Sequence, residues 1–226
     1  MDVFAKNVFE VWDGLTAAGL LQPRYLQLVL LVAIHTFIKE EVDVVICETH
    51  NGGEYDATNV FPHPIATGIT TIGMDHVLQL GPTVENIAWH KSGIFKPECP
   101  AFSTCQEPQA ASVLKSRANE KNILLEFVNG DIGNDWGVPV TQIPVQRKNA
   151  SLALKLANTF LSRKAPASDK MLTESQVRAG LENFAWNGRF QQIVQGNDRW
   201  YLDGAHNELS VPHAARWFAE VTNDSR

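Results

Sequence analysis

The sequence has 226 residues, of which 44% are hydrophobic and 19% charged, and its formal net charge is −6. This apolar content suits one large globular domain with its own core, or such a domain with a short appendage. A mildly acidic chain is a poor match for nucleic acids and anionic membranes, which require a clustered positive face, so we expect neither as a partner.

The cysteines indicate a reducing environment. Cys47, Cys99 and Cys105 are odd in number and match no zinc-ligand spacing, so a disulfide framework is not expected. We expect all three to be buried thiols that pack as small apolar residues. The first residues show no basic segment followed by an apolar run, and the expected location is therefore the cytoplasm.

The first fifty residues predict two helices and a strand. Apolar residues at helical spacing predict an amphipathic helix over residues 3–21 and a second helix over residues 23–39. The apolar stretch 26–38 is shorter than the roughly 20 residues that span a bilayer, so we expect a buried helix. Residues 42–48 are mostly β-branched and predict a strand that is buried on both faces.

Strands and helices alternate through the middle of the chain. The predicted strands are 65–72, 101–105 and 124–128, and the predicted helices are 83–92 and 109–122. Thr83 is a suitable N-cap for the first of these helices. The alternation predicts a layered α/β fold with a mostly parallel sheet flanked by helices.

The last third of the chain predicts helices and a hairpin. Residues 130–145 are rich in Gly and Pro and are expected to be irregular, and 163–170 are expected to be a polar loop. Helices are predicted over 149–161, 173–181 and 211–221, and a β-hairpin over 190–203 that turns at 196–198.

Polar residues follow the predicted strands. Glu48 ends the first strand, Asp75 and His76 follow the second, and Asp203 and His206 follow the hairpin. The carboxyl ends of parallel strands face the ligand crevice of an open α/β sheet, so Glu48 and His76 would converge on one edge. A carboxylate and an imidazole form a sensible partial shell for a divalent metal, although each residue taken singly also fits a capping or surface role.

A lysine lies near the end of the helix predicted over 83–92. Lys91 could stabilise the helix C-terminus, or it could be buried and reactive, because burial lowers the pKa of an amine. His90 and His76 are candidate acid–base residues, since histidine titrates near neutral pH. A phosphate-binding loop would read G-x-x-x-x-G-K-[ST], and no stretch of the 226 residues matches it. The sequence therefore favours Mg²⁺ over ATP as a cofactor.

Five segments, taken together, resemble the sequence blocks of the folylpolyglutamate synthase family and look closest to its fungal members. In chain order they are 44–59 (VVICETHNGGEYDATN), 67–76 (TGITTIGMDH), 87–96 (IAWHKSGIFK), 187–190 (NGRF) and 202–207 (LDGAHN). The family belongs to the Mur ligase superfamily and adds glutamate to folate through an acyl phosphate made from ATP. The resemblance implies an incomplete Mur-ligase central domain over 1–190 and a remnant of the domain junction and C-terminal domain over 191–226.

The resemblance also implies roles for individual residues. Glu48 and His76 would correspond to magnesium ligands, and Lys91 to a lysine that is carbamylated in many family members. Residues that contact the nucleotide from the domain junction would be represented by Arg189, Asp203 and His206.

Some positions depart from the family pattern, and the expected function follows from these departures. Asn187 replaces a proline, and the phosphate loop and most of the C-terminal domain are missing, so we expect a chain truncated at both ends. We predict an enzyme repurposed for ATP-independent chemistry on a small molecule, such as proton transfer, cyclisation or bond cleavage, in a setting such as fungal biosynthesis. Its predicted catalytic residues are Asp75, His76, His90, Lys91, Asp203 and His206.

Two alternatives stay open at this stage. The first is a residual ATP-dependent folate–glutamate ligase, and the second is a non-catalytic partner of a full-length ligase. A missing strand would leave backbone groups without partners, so a rearranged sheet, a filling segment or a homodimer contact is expected.

Overall fold

The computed structural model describes residues 2–130, 132, 136–166 and 169–223. Its backbone forms two compact units, residues 1–62 and residues 63–226, and each is described here by itself. The proposed domain boundary after residue 190 stays a prediction.

The first unit is built on a pair of helices. Helix α1 (Val3–Ala17) packs against α2 (Tyr25–Lys39), and a short 3-10 helix follows at Ala57–Val60. Both predicted helices are confirmed, but the expectation that α2 is buried is wrong. Within this fully described helix Val32 is the buried residue, and Ile38 is 71% exposed. A pair of helices can cover only one stripe of each partner, so the remaining apolar faces stay in contact with solvent.

The strand predicted over residues 42–48 does not form. These residues form neither helix nor strand and belong to neither of the sheets in the described part of the chain, and Ile46 is 93% exposed. A strand exists only where a second strand supplies hydrogen-bond partners, and residues 2–62 contain no other strand. High β-propensity alone therefore does not produce a strand here.

A polar cluster connects the two helices of the first unit. The side chain of Asn7, only 1% exposed, donates to Thr36 Oγ1 at 2.8 Å and accepts from Lys39 Nζ at 3.0 Å. The Glu10 carboxylate accepts from Lys39 Nζ at 2.8 Å and lies 2.7 Å from His35 Nε2. The bonds from Lys39 and then His35 lower the pKa of Glu10 to about 2. This cluster therefore holds α1 against α2 mainly while Glu10 is ionised.

The second unit contains the sheets. Its elements in chain order are β1 (Thr67–Ile69), α3 (Val77–Leu80), α4 (Val84–Lys91), a 3-10 turn (Ser92–Ile94), β2 (Ala101–Thr104), α5 (Pro108–Glu120), β3 (Leu125–Val128), α6 (Pro139–Gln142), α7 (Pro144–Lys164), α8 (Glu174–Glu182), β4 (Gln191–Gln195), β5 (Asp198–Leu202) and α9 (Val211–Asn223). The predicted α/β class, with a parallel sheet between helices, is confirmed.

Strands β1, β2 and β3 form a parallel sheet in that order, and its register gives the two faces different neighbours. Gly68 pairs with Phe102, which pairs with Glu126, and this row faces α7. Leu156 of α7 lies against Gly68, and Lys155 of the same helix forms a 2.8 Å ion pair with Glu126. The alternate row faces the opposite side of the sheet.

The main core lies on the side of the sheet opposite α7. It contains Ile69 of β1, Ala101 of β2, Ile87 of α4 and Leu114 of α5, and Phe127 of β3 packs against it. All four residues of β2 are buried, as expected for a central strand covered on both faces. Helices α4 and α5 therefore cover one face and α7 the other.

Side-chain caps fix the starts of two helices. Thr83 Oγ1 accepts from the Asn86 amide at the start of α4, which confirms the predicted cap. Thr173 forms a capping box with Gln176 at the start of α8. The predicted strand 65–72 is shorter than expected, because β1 ends at Ile69 and the chain then turns away from β2.

The region predicted to be irregular contains more helix than expected. Helix α6 forms within 130–145, and α7 starts at Pro144 and runs to Lys164, which shortens the expected loop 163–170. Proline supplies the fixed backbone angle of a first helical turn in both cases. Residues 131, 133–135, 167 and 168 of these two segments lie outside the described residues.

The membrane and cysteine expectations can be compared with the structure. None of the described helices is long and apolar enough to cross a bilayer. The three cysteines are free thiols; Cys99 is buried, but Cys47 and Cys105 are exposed, so the expectation of three buried thiols is wrong for these two. Cys47 lies in segment 42–48, which forms no strand, and Cys105 directly follows the end of β2.

We predict that the polar cluster makes the helix pair sensitive to acid. The ionised Glu10 stabilises the folded state above its ordinary pKa of 4.5, and this contribution is lost as pH falls toward about 2. Glu10→Gln should therefore reduce the hydrogen-exchange protection of the α2 amides several-fold at pH 6 and leave it unchanged near pH 2. Asp13→Asn, an exposed acid on the same helix, is the control and should have no effect at either pH. Equal loss of protection at both pH values would contradict the prediction.

Candidate functional site

A cleft of about 270 Å³ lies in the second unit, beside the end of strand β1. The residues after β1, the first turns of α7, the loop before β4 and the loop between β5 and α9 contribute its walls. Its lining includes Thr70, Thr71, Gln146, Asn149, Arg189, Asp203, Gly204, His206, Ser210 and His213. Hydroxyl, amide, imidazole and guanidinium groups thus line one concave surface, which suits a polar or anionic small molecule.

Asp203 holds the loop after the hairpin to the loop before it. Its Oδ2 accepts from the Phe190 amide and its Oδ1 from the Ala205 amide, both at 2.8 Å. The Gly204 amide also donates to the Gly188 carbonyl at 2.8 Å. Both oxygens of Asp203 therefore accept hydrogen bonds from the backbone of these two loops, and its catalytic role stays a prediction.

His206 has a defined orientation at the cleft. Its Nδ1 lies 2.8 Å from the Gly204 carbonyl oxygen. A carbonyl oxygen only accepts, so Nδ1 carries a proton and the neutral ring keeps its lone pair on Nε2. The ring is exposed, and Nε2 is left for a ligand or a transferable proton.

Arg189 is pressed against the backbone of Gly204. Its Nη1 donates to the Gly188 carbonyl at 3.2 Å, and a Cβ atom at position 204 would overlap the guanidinium group. The glycine of the LDGAHN segment is therefore what allows the arginine to reach the cleft. A planar guanidinium at this position is suited to recognise phosphate or carboxylate oxygens.

A second group of candidates lies on the segment after β1 and at the end of α4. The His76 amide donates to Asp75 Oδ1 at 2.9 Å, and His76 Nε2 lies 3.8 Å from Asp75 Oδ2. His76 is the N-cap of α3 and has a φ of 51°, a left-handed conformation that is uncommon for a residue other than glycine. Such backbone conformations concentrate at ligand-binding sites.

Lys91 is the last residue of α4 and is largely buried. Burial lowers the pKa of its ammonium group, and the negative charge of Asp75 acts in the opposite direction. A buried and reactive amine and a helix-end charge therefore both stay open as interpretations of Lys91. Asp75, on the segment after β1, therefore interacts with both His76 and Lys91.

The two groups of candidates meet through one close backbone contact. A Cβ atom at Gly73 would lie 2.7 Å from Leu209 Cδ2. Gly73 lies just before Asp75 and His76, and Leu209 lines the cleft that contains His206. The absence of a side chain at Gly73 thus lets the segment after β1 pack against the loop after β5.

His90 of the second unit takes no part in this arrangement, and Glu48 belongs to the first unit. His90 packs edge-on against the Trp89 ring at 5.1 Å, is partly buried, and does not line the cleft. Glu48 lies in the first unit, in the exposed segment that follows α2. The joint magnesium site of Glu48 and His76 therefore stays a prediction.

The donors in the second unit partly fit a magnesium ion. Within the described residues no three His, Cys, Asp or Glu side chains are grouped closely enough to hold a metal. Asp75 and His76 supply at most two donors. Magnesium usually keeps several waters and needs only one or two carboxylates together with substrate phosphates, so a site of this size is compatible with it.

Sequence reasoning missed Gln106 and the cleft residues of α7. Asn149 and Gln146 lie on the first turns of α7, whereas the sequence predicts a helix that starts only at Asn149 and assigns Gln146 to no element. Gln106 joins β1 to β2, as described below. A polar residue that directly follows a predicted buried strand is the signal that could have identified Gln106.

The parallel sheet between helices, followed by a hairpin beside the cleft, forms an α/β domain, and this is the fold of the solved folylpolyglutamate synthases. Solved structures share this fold. Mycobacterium tuberculosis folylpolyglutamate synthase, complexed with ADP and AMPPCP, aligns with a TM-score of 0.77 and 24% identity over 96% of this chain and 54% of its own. Escherichia coli FolC, complexed with DHPP and ADP, aligns with a TM-score of 0.68 and 31% identity over 88% of this chain and 48% of its own.

Curated folylpolyglutamate synthases are similar to almost the whole of this chain. Folylpolyglutamate synthase of Neurospora crassa is 43% identical over an alignment of 231 positions, which covers 97% of this chain and 43% of the relative. The Saccharomyces cerevisiae enzyme is 36% identical over an alignment of 250 positions, which covers 99% of this chain and 44% of the relative. No protein-family model matches the sequence. The chain is homologous to folylpolyglutamate synthase, and it spans less than half the length of these relatives.

We predict that Gly204 is required for the arginine to occupy the cleft. Gly204→Ala should displace the Arg189 guanidinium and weaken binding of an anionic nucleotide about tenfold, because the new methyl group takes the place of the guanidinium. Titration calorimetry with magnesium–ATP measures the effect. Gly180→Ala is the control, since a Cβ atom there meets nothing within 4 Å. Unchanged affinity in Gly204→Ala would show that Arg189 does not contact the nucleotide.

We also predict that Lys91 lowers the stability of the protein at neutral pH. Its folded-state pKa lies below the ordinary 10.5, so the unfolded state binds more protons between the two values and stability rises with pH in that window. Lys91→Met should raise the thermal midpoint at pH 7, because methionine has a similar length and carries no charge that burial would desolvate. This advantage should shrink as pH approaches 10.5. A lower midpoint for Lys91→Met at pH 7 would mean that the ammonium is fully compensated.

Proposed function

We propose that the chain binds magnesium–ATP and acts in folylpolyglutamate synthase chemistry, the ATP-dependent addition of glutamate to a folate. The observation that carries this proposal is the cleft in which Arg189 and His206 converge, with Asp203 and Gly204 holding the backbone that presents them. Because the chain spans less than half the length of its relatives, nucleotide binding is the part of the reaction that we assign to it.

The side chains of the cleft can perform distinct tasks toward a nucleotide. The Arg189 guanidinium would offset phosphate charge by paired N–H···O bonds. His206 Nε2 and the hydroxyl of Thr70 would bind polar atoms of the ligand at the same wall. A bound Mg²⁺ would neutralise further phosphate charge, and Glu48 and His76 are the residues we propose to hold it.

We propose that Lys91 acts as a carbamate. A buried amine with a lowered pKa is uncharged in a larger fraction of molecules, and the uncharged amine is the form that adds carbon dioxide. The Lys91 nitrogen would form a bond to the carbon of CO₂ and release one proton to solvent. The carbamate product would carry a carboxylate that interacts with the charge of Asp75. Mass spectrometry of the native protein in bicarbonate buffer would detect an increase of about 44 Da, the mass of one carbon dioxide.

The test of the proposed function is titration of the purified 226-residue protein with magnesium–ATP. We expect a dissociation constant between about 1 µM and 1 mM, or about −8 to −4 kcal/mol. Arg189→Met should weaken binding at least tenfold, because a charge-assisted contact to phosphate is lost. Arg216→Met on α9, outside the cleft lining, is the matched control and should bind as the unmodified protein does. No saturable binding up to several millimolar nucleotide would contradict the proposal.

A second candidate is the ATP-independent reaction on a small molecule that the sequence predicts. The observation that favours it is the lack of a G-x-x-x-x-G-K-[ST] motif in the 226 residues, so this chain by itself brings no such loop to the phosphates. If nucleotide does not bind, His76→Ala and Lys91→Ala become the discriminating variants. Loss of turnover in both variants without a fall in the thermal midpoint would support this second function.

A further inference from the structure

We propose that Gln106 is a positioning residue for the functional site, because its side-chain amide fixes the backbone that leads from β1 to Asp75 and His76. This inference rests on the proposed function, since it concerns the same cleft. Gln106 lies just after β2 and is partly buried. No family resemblance or motif had singled it out.

The amide of Gln106 holds the segment after β1 at two backbone atoms. Its Oε1 accepts from the Ile72 N–H at 2.8 Å, and its Nε2 donates to the Thr70 carbonyl at 2.8 Å. The two residues are 34 and 36 positions away in sequence. Strand β1 has already ended at Ile69, so this one side chain replaces the sheet hydrogen bonds that the segment lacks.

The orientation of the amide is determined by its surroundings. Nε2 also lies 2.9 Å from Ser103 Oγ and 3.3 Å from Thr104 Oγ1. Ser103 Oγ donates its own proton to the Thr104 carbonyl, so it can only accept from Gln106. An amide turned by 180° would place its oxygen against the Thr70 carbonyl and its NH₂ against the Ile72 N–H. The bonding pattern therefore permits a single orientation.

The hydroxyl groups that receive this amide are rigidly held. Ser103 and Thr104 are 0% and 1% exposed, and both belong to the central strand β2. Ile72, on the other side of the bond, is 3% exposed and belongs to the main core. Gln106 thus transmits the position of the sheet to the segment after β1 with little freedom at either end.

The fixed segment carries both parts of the site. Thr70 and Thr71 line the cleft directly. Gly73 packs against Leu209 on the opposite wall, and the chain then enters the left-handed turn at His76. If the Thr70–Ile72 backbone moved, the cleft wall and the Asp75–His76 pair would move with it.

The experiment compares Gln106→Met with Gln109→Met. Methionine keeps the approximate length of the side chain but removes both the donor and the acceptor. Gln109 lies three residues further on, at the exposed start of α5, and is the matched control. Amide hydrogen exchange of residues 70–76 reports the geometry of the segment, and titration with magnesium–ATP reports binding.

We expect Gln106→Met to increase exchange at the Ile72 amide at least tenfold while the amides of α5 keep their protection. We expect its dissociation constant for magnesium–ATP to rise about tenfold, and Gln109→Met to change neither quantity. Gln106→Glu is the conservative variant: it can still accept from the Ile72 N–H, but its second oxygen would face the Thr70 carbonyl when ionised, so it should restore only part of the exchange protection of Ile72 and part of the affinity.

Three results would separate the two proposals. Faster exchange at Ile72 with an unchanged dissociation constant would overturn the positioning role and leave a purely structural one. Unchanged exchange at Ile72 would overturn it directly. If the unmodified protein binds no nucleotide, the proposed function fails. In that case the positioning role stands only if Gln106→Met speeds exchange at the Asp75 and His76 amides as well as at Ile72. If exchange at Asp75 and His76 is unchanged, the positioning role is overturned too.

Discussion

The parallel pairing of β1 with β2 is the constraint on which the rest of the second unit depends. It brings the end of β1 and the end of β2 to the same edge of the sheet, which is where open α/β folds place their ligands. Because β2 is buried on both faces, its polar side chains Ser103 and Thr104 must find partners inside the protein. Gln106 Nε2 lies within hydrogen-bond distance of both hydroxyl oxygens, and its bond to the Thr70 carbonyl ties the two strand ends together.

The cleft depends on close approach as much as on side-chain chemistry. Gly73 and Gly204 each leave a space that a neighbouring side chain fills, Leu209 in the first case and Arg189 in the second. A methyl group at either position would separate segments that otherwise form one wall. The cleft therefore depends on the lack of a side chain at Gly73 and Gly204. Asp203 adds two hydrogen bonds that hold the loops before and after the hairpin together.

Local patterns in the sequence predicted most of the helices and the order of the elements. The apolar spacing of α1 and α5 and the capping threonines Thr83 and Thr173 depend on neighbours within a few residues, so they can be read directly. The strand over 42–48 could not be predicted in the same way, because strand formation depends on a partner elsewhere. For the same reason the sequence indicates Arg189 only through family resemblance and Gln106 not at all, whereas His206 is also indicated by its place after the predicted hairpin.

Segment 42–48, which is exposed and forms no strand, affects the tendency of the chain to self-associate in solution. It exposes 50% of Val44 and 93% of Ile46 in a β-branched run whose backbone groups belong to no sheet in the described part of the chain. Such a run is a template for pairing with an identical segment of another molecule. The colloidal behaviour of the chain should therefore depend on concentration, and a charge introduced at Ile46 should delay turbidity without disturbing the cleft.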